Sequence, residues 1–183
     1  HETPIRQFLS GDLRQALVNL LEKTKKDKGH IYTALYELED DELIDELLKL
    51  KKHAHVILAN GSVDKVGKDQ NKEARDRLTN KVDLYDRMTS PKGLGHNKFL
   101  VVCDKDKHPI AVWTGSTNWT KTGLCTQINN GFIIRDAATA QIYLDQWQRL
   151  LDAKSAFTDA LVAANTQPKA SQIGQSKLDI WFT

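Results

Sequence analysis

Apolar and polar positions along the chain switch between a helical and an alternating period, and the switches mark out the elements. Leu13, Ala16, Leu17, Leu20 and Leu21 recur at the spacing of a buried helix face, after Ser10 and Asp12 in capping position. That helix runs into the basic stretch 23–28 and stops at Gly29. Residues 30–38, rich in Ile, Tyr and Thr, predict a strand. Glu39, Asp40, Asp41 and Glu42 then open a second helix carrying Leu43, Leu47, Leu48 and Leu50, their charge suited to the positive helix end. The apolar run 54–59 predicts a buried strand, 61–69 a loop and 70–79 a short polar helix.

Residues 81–88 predict a further strand and 89–95 a loop containing Pro and Gly. The apolar segments 97–103 and 110–114 flank the polar stretch 104–109, which is a hairpin pattern. Another strand, 131–135, leads to Asp136, the cap of a long helix with Ala140, Tyr143, Leu144, Trp147, Leu150 and Leu151 along one side. Strands alternating with helices predict the α/β class: an α/β/α sandwich whose mixed β-sheet is covered on both faces. One domain, residues 1–164, accounts for these elements. The polar segment 165–176 reads as a linker and 178–183 as one more strand, so 165–183 is expected to lead into a second half.

Composition narrows this only a little. The 183 residues suffice for one domain of ordinary size. Lys and Arg number 26 against 24 Asp and Glu, a formal charge of +2 that permits an anionic substrate without demanding one. Hydrophobic residues at 40% and charged residues at 27% exclude a disordered or fibrous chain. No run approaches the roughly 20 apolar residues of a transmembrane segment. Cys103 and Cys125 allow at most one bridge, and neither has metal-type spacing. The chain starts at His1 without a basic-then-apolar leader, so it reads as a piece of a longer protein from which a signal peptide could have been removed. The compartment stays open, with the cytoplasm as first expectation.

The chemistry concentrates in one stretch. His96 and Lys98 are two apart at the start of a predicted strand and share a face. After the hairpin come Gly115, Ser116 and Asn118, and an extended backbone would put Ser116 and Asn118 on one face as well. The hairpin carries both pairs to one end of adjacent strands. An imidazole, an ammonium, a hydroxyl and an amide would then converge, which suits attack on a phosphoryl group.

His96-x-Lys98, an acid further along and Gly115-Ser116-x-Asn118 resemble the HxK…D…GSxN signature of the phospholipase D superfamily. The order of strands and helices from Gly29 to Leu151 resembles that family too. The resemblance implies a phosphodiesterase that works without metal or cofactor through a phosphohistidine on His96. A second His, from another copy of the motif, would protonate the leaving oxygen and then activate water or another acceptor. Lys98 and Asn118 would hold the phosphoryl oxygens, with Ser116 a further member of the cradle. Since one motif is present, the partner is either a second copy of this chain or the C-terminal half of a longer one. Two positions depart from the pattern. Cys103 occupies the place of the acid, which Asp104 would fill through a small bulge. Asn129 aligns with a Glu that orients the nucleophilic His, and an amide adds no negative charge there.

Plainer readings compete. A lone His at a strand start is ordinarily a surface residue, Lys98 a solvated edge charge and Gly115-Ser116 a turn; only the set argues for chemistry. Asn118-Trp119-Thr120 is formally a glycosylation sequon, but a glycan there would block the pocket. His53 and His55 could approach a metal but lack a third ligand, and read as edge histidines. The 61–68 loop has the wrong glycine spacing for a phosphate-binding loop, and 23–28 is a solvated helix end. The Trp147 helix belongs to the core, whereas Trp119 is expected to line the substrate site. Nucleic acid is the first substrate expectation and phospholipid the alternative, with a non-catalytic binding or assembly half-domain as the rival from another class.

Overall fold

A computed structural model describes residues 3–63, 65, 67–89 and 93–182. The start at His1, parts of the loops expected at 61–69 and 89–95, and the last position of the 178–183 strand lie outside the described residues. The first helix, α1 (Pro4–Lys26), begins earlier than its apolar period shows. Thr3 caps it, accepting from the Arg6 amide at 3.4 Å, and Pro4 sits where its missing N–H costs nothing. At Gly11 the backbone leaves the helix, with φ at 49°, so Ser10 and Asp12 flank an internal break and do not form the N-terminus.

The elements expected from the sequence follow in order, with two short helices, Lys121–Cys125 and Asp159–Asn165, that the sequence did not announce. In chain order the elements are β1 (His30–Leu35), α2 (Asp41–Leu50), β2 (Ala54–Ala59), α3 (Lys72–Leu78), β3 (Asp83–Arg87), β4 (Lys98–Cys103), β5 (Pro109–Gly115), α4 (Lys121–Cys125), β6 (Gly131–Ile134), α5 (Ala137–Ala153) and α6 (Asp159–Asn165). Asp40 caps α2 through the Leu43 amide, and Asp136 caps α5 through the Thr139 amide. The strands form one mixed sheet in the order β3-β2-β1-β4-β5-β6. β1, β2 and β3 run parallel, while β4 lies antiparallel to β1 and opens the β4–β5–β6 meander.

Both faces of the sheet are covered, giving the α/β/α sandwich. On one face Leu17 and Leu21 of α1 and Leu43 and Leu47 of α2 pack over Ile31, Val56, Leu100 and Trp113. On the other, Tyr143, Trp147 and Leu150 of α5 pack over Phe99, Val101 and Val112. Each fully buried aliphatic side chain here contributes roughly 2 kcal/mol. The Trp147 indole also donates to the Thr33 carbonyl at 3.0 Å, which fixes α5 against the central strand.

The segment expected to be a linker is structured. β7 (Lys169–Ile173) pairs antiparallel with β8 (Ser176–Ile180) around a turn that contains Gly174, with φ at 59°. The polar surface of β7 hid its alternation, whereas β8 overlaps the strand expected at 178–183 and ends on the buried Ile180. The hairpin folds back onto this domain: the Ser171 and Thr139 hydroxyls are 2.8 Å apart, and Phe182 meets the Tyr143 ring edge-on at 5.2 Å. Among the described residues, no helix is long and apolar enough to cross a membrane.

Candidate active site

The register brings the motif residues to one end of the sheet. Leu35, the last residue of β1, lies opposite Lys98, and Phe99 lies opposite Thr114. Chain continuing from β1 meets chain continuing from β5 there: Leu38 bridges Trp119, and the Trp119 amide donates to the Glu37 carbonyl at 3.1 Å. The Tyr36 amide donates to the Asn97 carbonyl at 2.9 Å. Three separate stretches, around Glu37, His96 and Asn118, are thereby stitched into one surface.

Asn71 secures that stitching from beneath. Its side chain accepts from the Leu38 amide at 2.9 Å and donates to the Tyr36 and Ala59 carbonyls at 2.8 Å each. These satisfy backbone groups that leave the sheet before pairing ends.

His96 is exposed, with its ring against the edge of Tyr36 at 4.6 Å. Burial beside the sheet and the charge of Lys98 lower its pKa from the ordinary 6.5, which keeps the imidazole neutral at neutral pH. Lys98 is 8% exposed; its ammonium donates to the His96 carbonyl at 3.2 Å and sits over the Tyr36 ring. Burial pushes its pKa down to about 8, a fall that Glu37 partly opposes. Asn118 donates to Glu37 Oε2 at 2.7 Å, while its own Oδ1 is buried with no partner among the described residues.

Glu37 is the residue the sequence reading missed. Burial foremost, and the neighbouring Glu39, raise its pKa above 4.5, against the opposing pull of Lys98. An acid at the end of an otherwise apolar strand is the signal that could have marked it.

Ser116 has other partners. Its hydroxyl donates to Asn129 Oδ1 at 3.0 Å and accepts from the Asn130 amide at 3.0 Å. The Asn129 amide donates to the Gly123 carbonyl at 2.9 Å and to Gln127 at 3.1 Å. Asn129 therefore holds Ser116 and the loop after α4. Gly115 is required for close approach, since a Cβ there would run into the Asn130 carbonyl.

Asp104 lies at the opposite end of β4 from Lys98. The register slips between Val102 and Cys103, and the Asp104 carboxylate accepts from the Asp106 and His108 amides at 2.9 Å each, closing the β4–β5 turn. The Cys103 thiol is buried and pushed up to about 12, so it stays neutral. Both cysteines are free. Trp119 does not line the site: it is fully buried and meets Trp113 edge-on at 6.0 Å in the core on the α1 side. His53 precedes β2 and His55 lies near its start, where the His53 ring stacks on His30 at 4.3 Å and the His55 ring on Tyr32 at 4.4 Å.

Comparison with known proteins bears on the family and the fold. The family described as cardiolipin synthase, PLD-like domain, matches residues 17–151. No curated protein matches by sequence. Among solved structures the chain is similar to Nuc from Salmonella typhimurium, a phospholipase D family member, at 20% identity and TM-score 0.56, over 72% of this chain and 84% of that one. It is similar to NucT from Helicobacter pylori at 16% identity and TM-score 0.57, over 79% and 92% respectively. The polyphosphate kinase of Porphyromonas gingivalis shares 15% identity at TM-score 0.56, with 77% of this chain aligned to 21% of the kinase.

Proposed function

The chain belongs to the phospholipase D-like domain family and carries that superfamily's phosphodiesterase fold, and we propose that it cleaves phosphodiesters in nucleic acid through His96. The observation that carries this reading is the meeting of His96, Lys98 and Asn118 at one sheet end, with the imidazole exposed.

The neutral His96 nitrogen attacks phosphorus, the bond to the leaving oxygen breaks, and a phosphohistidine forms. The leaving oxygen takes its proton from a second His, supplied by another copy of the motif. That His then removes a proton from water, which attacks the phosphohistidine and releases His96 with the phosphate product. Lys98 and the Asn118 amide offset charge on the phosphoryl oxygens as it builds. In this reading they carry the electrostatic work that a metal would do elsewhere. The exposure of His96 and Ser116 suits a large substrate laid across the sheet end, and the formal charge of +2 permits a polyanion.

The test is cleavage of single-stranded and plasmid DNA in EDTA by the chain and by His96→Ala. Cleavage by the chain that the variant loses supports the reading. Equal cleavage by both removes His96 as nucleophile. A lipid substrate is checked alongside with phospholipid vesicles: nucleic-acid binding falls steeply with salt, whereas insertion into lipid does not.

A further inference from the structure

Resting on that reading, we infer that Glu37 is a positioning residue of the phosphate cradle: it orients the Asn118 amide so that one N–H is held and the other faces the phosphoryl oxygen. An ionised carboxylate only accepts, so it selects the Nδ2 side of Asn118. Turning the amide over would set two oxygens against each other. The buried Oδ1 has no partner among the described residues in the observed orientation, so the Glu37 bond decides it.

The position of Glu37 is itself fixed. Its backbone carbonyl accepts from Trp119, and the residues on either side of it are tied to Asn71. The amide of Asn118 therefore rests on a rigid acceptor before any substrate arrives, as preorganised donors require.

The same carboxylate opposes anion binding by its charge. Lys98 faces it from β4, Glu39 from its own loop, and His96 lies beside Lys98. Position and charge thus act in opposite directions, and two variants separate them. Glu37→Gln keeps an acceptor for Asn118 and loses the charge. Glu37→Met has similar length, loses the same charge and has no acceptor.

The experiment follows sulfate binding by the Asn118 side-chain amide signal in 15N NMR, with the signal assigned through Asn118→Asp. Sulfate does not titrate in the range used, so only the protein's groups respond. The expected result is that Glu37→Gln binds sulfate roughly tenfold tighter than Glu37→Met, the size of effect that orienting partners have elsewhere. Glu37→Gln also keeps the shifted Asn118 amide signal, and Glu37→Met loses it. Equal affinities in the two variants, with sulfate bound by the wild type, overturn the role of Glu37 and leave the phosphodiesterase reading standing. A wild-type chain whose Asn118, Lys98 and His96 signals ignore sulfate overturns the cradle, and the inference with it.

Discussion

The Lys98 ammonium lies over the ring of Tyr36, 5.0 Å from its centre. A cation placed there gains from the electron-rich face of the ring, but loses most of its water. Function and stability therefore pull against each other at this residue.

Lys98→Met should raise stability at pH 7 by about 1 kcal/mol while abolishing anion binding at the site. The lowered ammonium pKa fixes the sign of the pH dependence. Between about 8 and the ordinary 10.5 the unfolded chain binds more protons, so wild-type stability rises with pH across that window. Lys98→Met removes this rise. Urea unfolding at pH 7 and pH 10 checks both, and a lower midpoint for the variant at pH 7 counts against the argument.

Anion binding should show the opposite trend. As pH rises through about 8, Lys98 loses its proton and sulfate affinity falls. Lys98→Arg carries a charge that does not titrate there, so its affinity should stay level through the same range. A fall in both proteins would trace the effect to another group.

Asn71→Leu should cost about 2 kcal/mol, because the Leu38 amide and the Tyr36 carbonyl lose the bond Asn71 gives them, while the Ala59 carbonyl keeps Arg75. It should also loosen the segment carrying Tyr36 and Glu37. Faster amide exchange at Leu38 is the local measurement, and unchanged exchange would show that Asn71 holds nothing in place.

Acid should weaken the attachment of α1. Glu42 accepts from Arg6 at 2.9 Å and Arg14 at 2.7 Å, and Arg14 is buried. Burial raises the Glu42 pKa, but the two guanidinium bonds outweigh it and the net shift is downward from 4.5. This contribution is complete above about 4.5 and is lost as pH falls through the lower folded value. Glu42→Gln should therefore destabilise by about 2 kcal/mol at pH 7 and by much less in strong acid. Thermal unfolding at pH 7 and pH 3 measures the difference, and an equal loss at both would assign it to packing.

Local signals made much of the fold legible. Asp40 and Asp136 cap their helices where acids precede apolar periods, and the polar 104–109 stretch closes the hairpin that carries Lys98 to Gly115. What escaped depended on distant partners. Glu37 gains its meaning from Asn118, 81 positions away, and nothing near it in the chain reports that contact. Trp119 was placed by its neighbours in the motif, whereas its burial follows from pairing with Leu38. Lys169, Ser171 and Gln172 gave β7 the polarity of a linker, while β8, part of which was legible in 178–183, has its apolar anchor in Ile180 at its end.

The antiparallel docking of β4 onto β1 has a consequence for how the protein becomes competent. The Thr33 hydroxyl reaches the Phe99 carbonyl across 66 positions of chain, so this pairing closes a long loop and is slow compared with helix formation. Before it closes, His96 and Lys98 have no Tyr36 or Glu37 to meet, however well β1, β2 and β3 are joined. Recovery of anion binding during refolding is thus a clock for that one closure, and it should lag behind the recovery of helical signal.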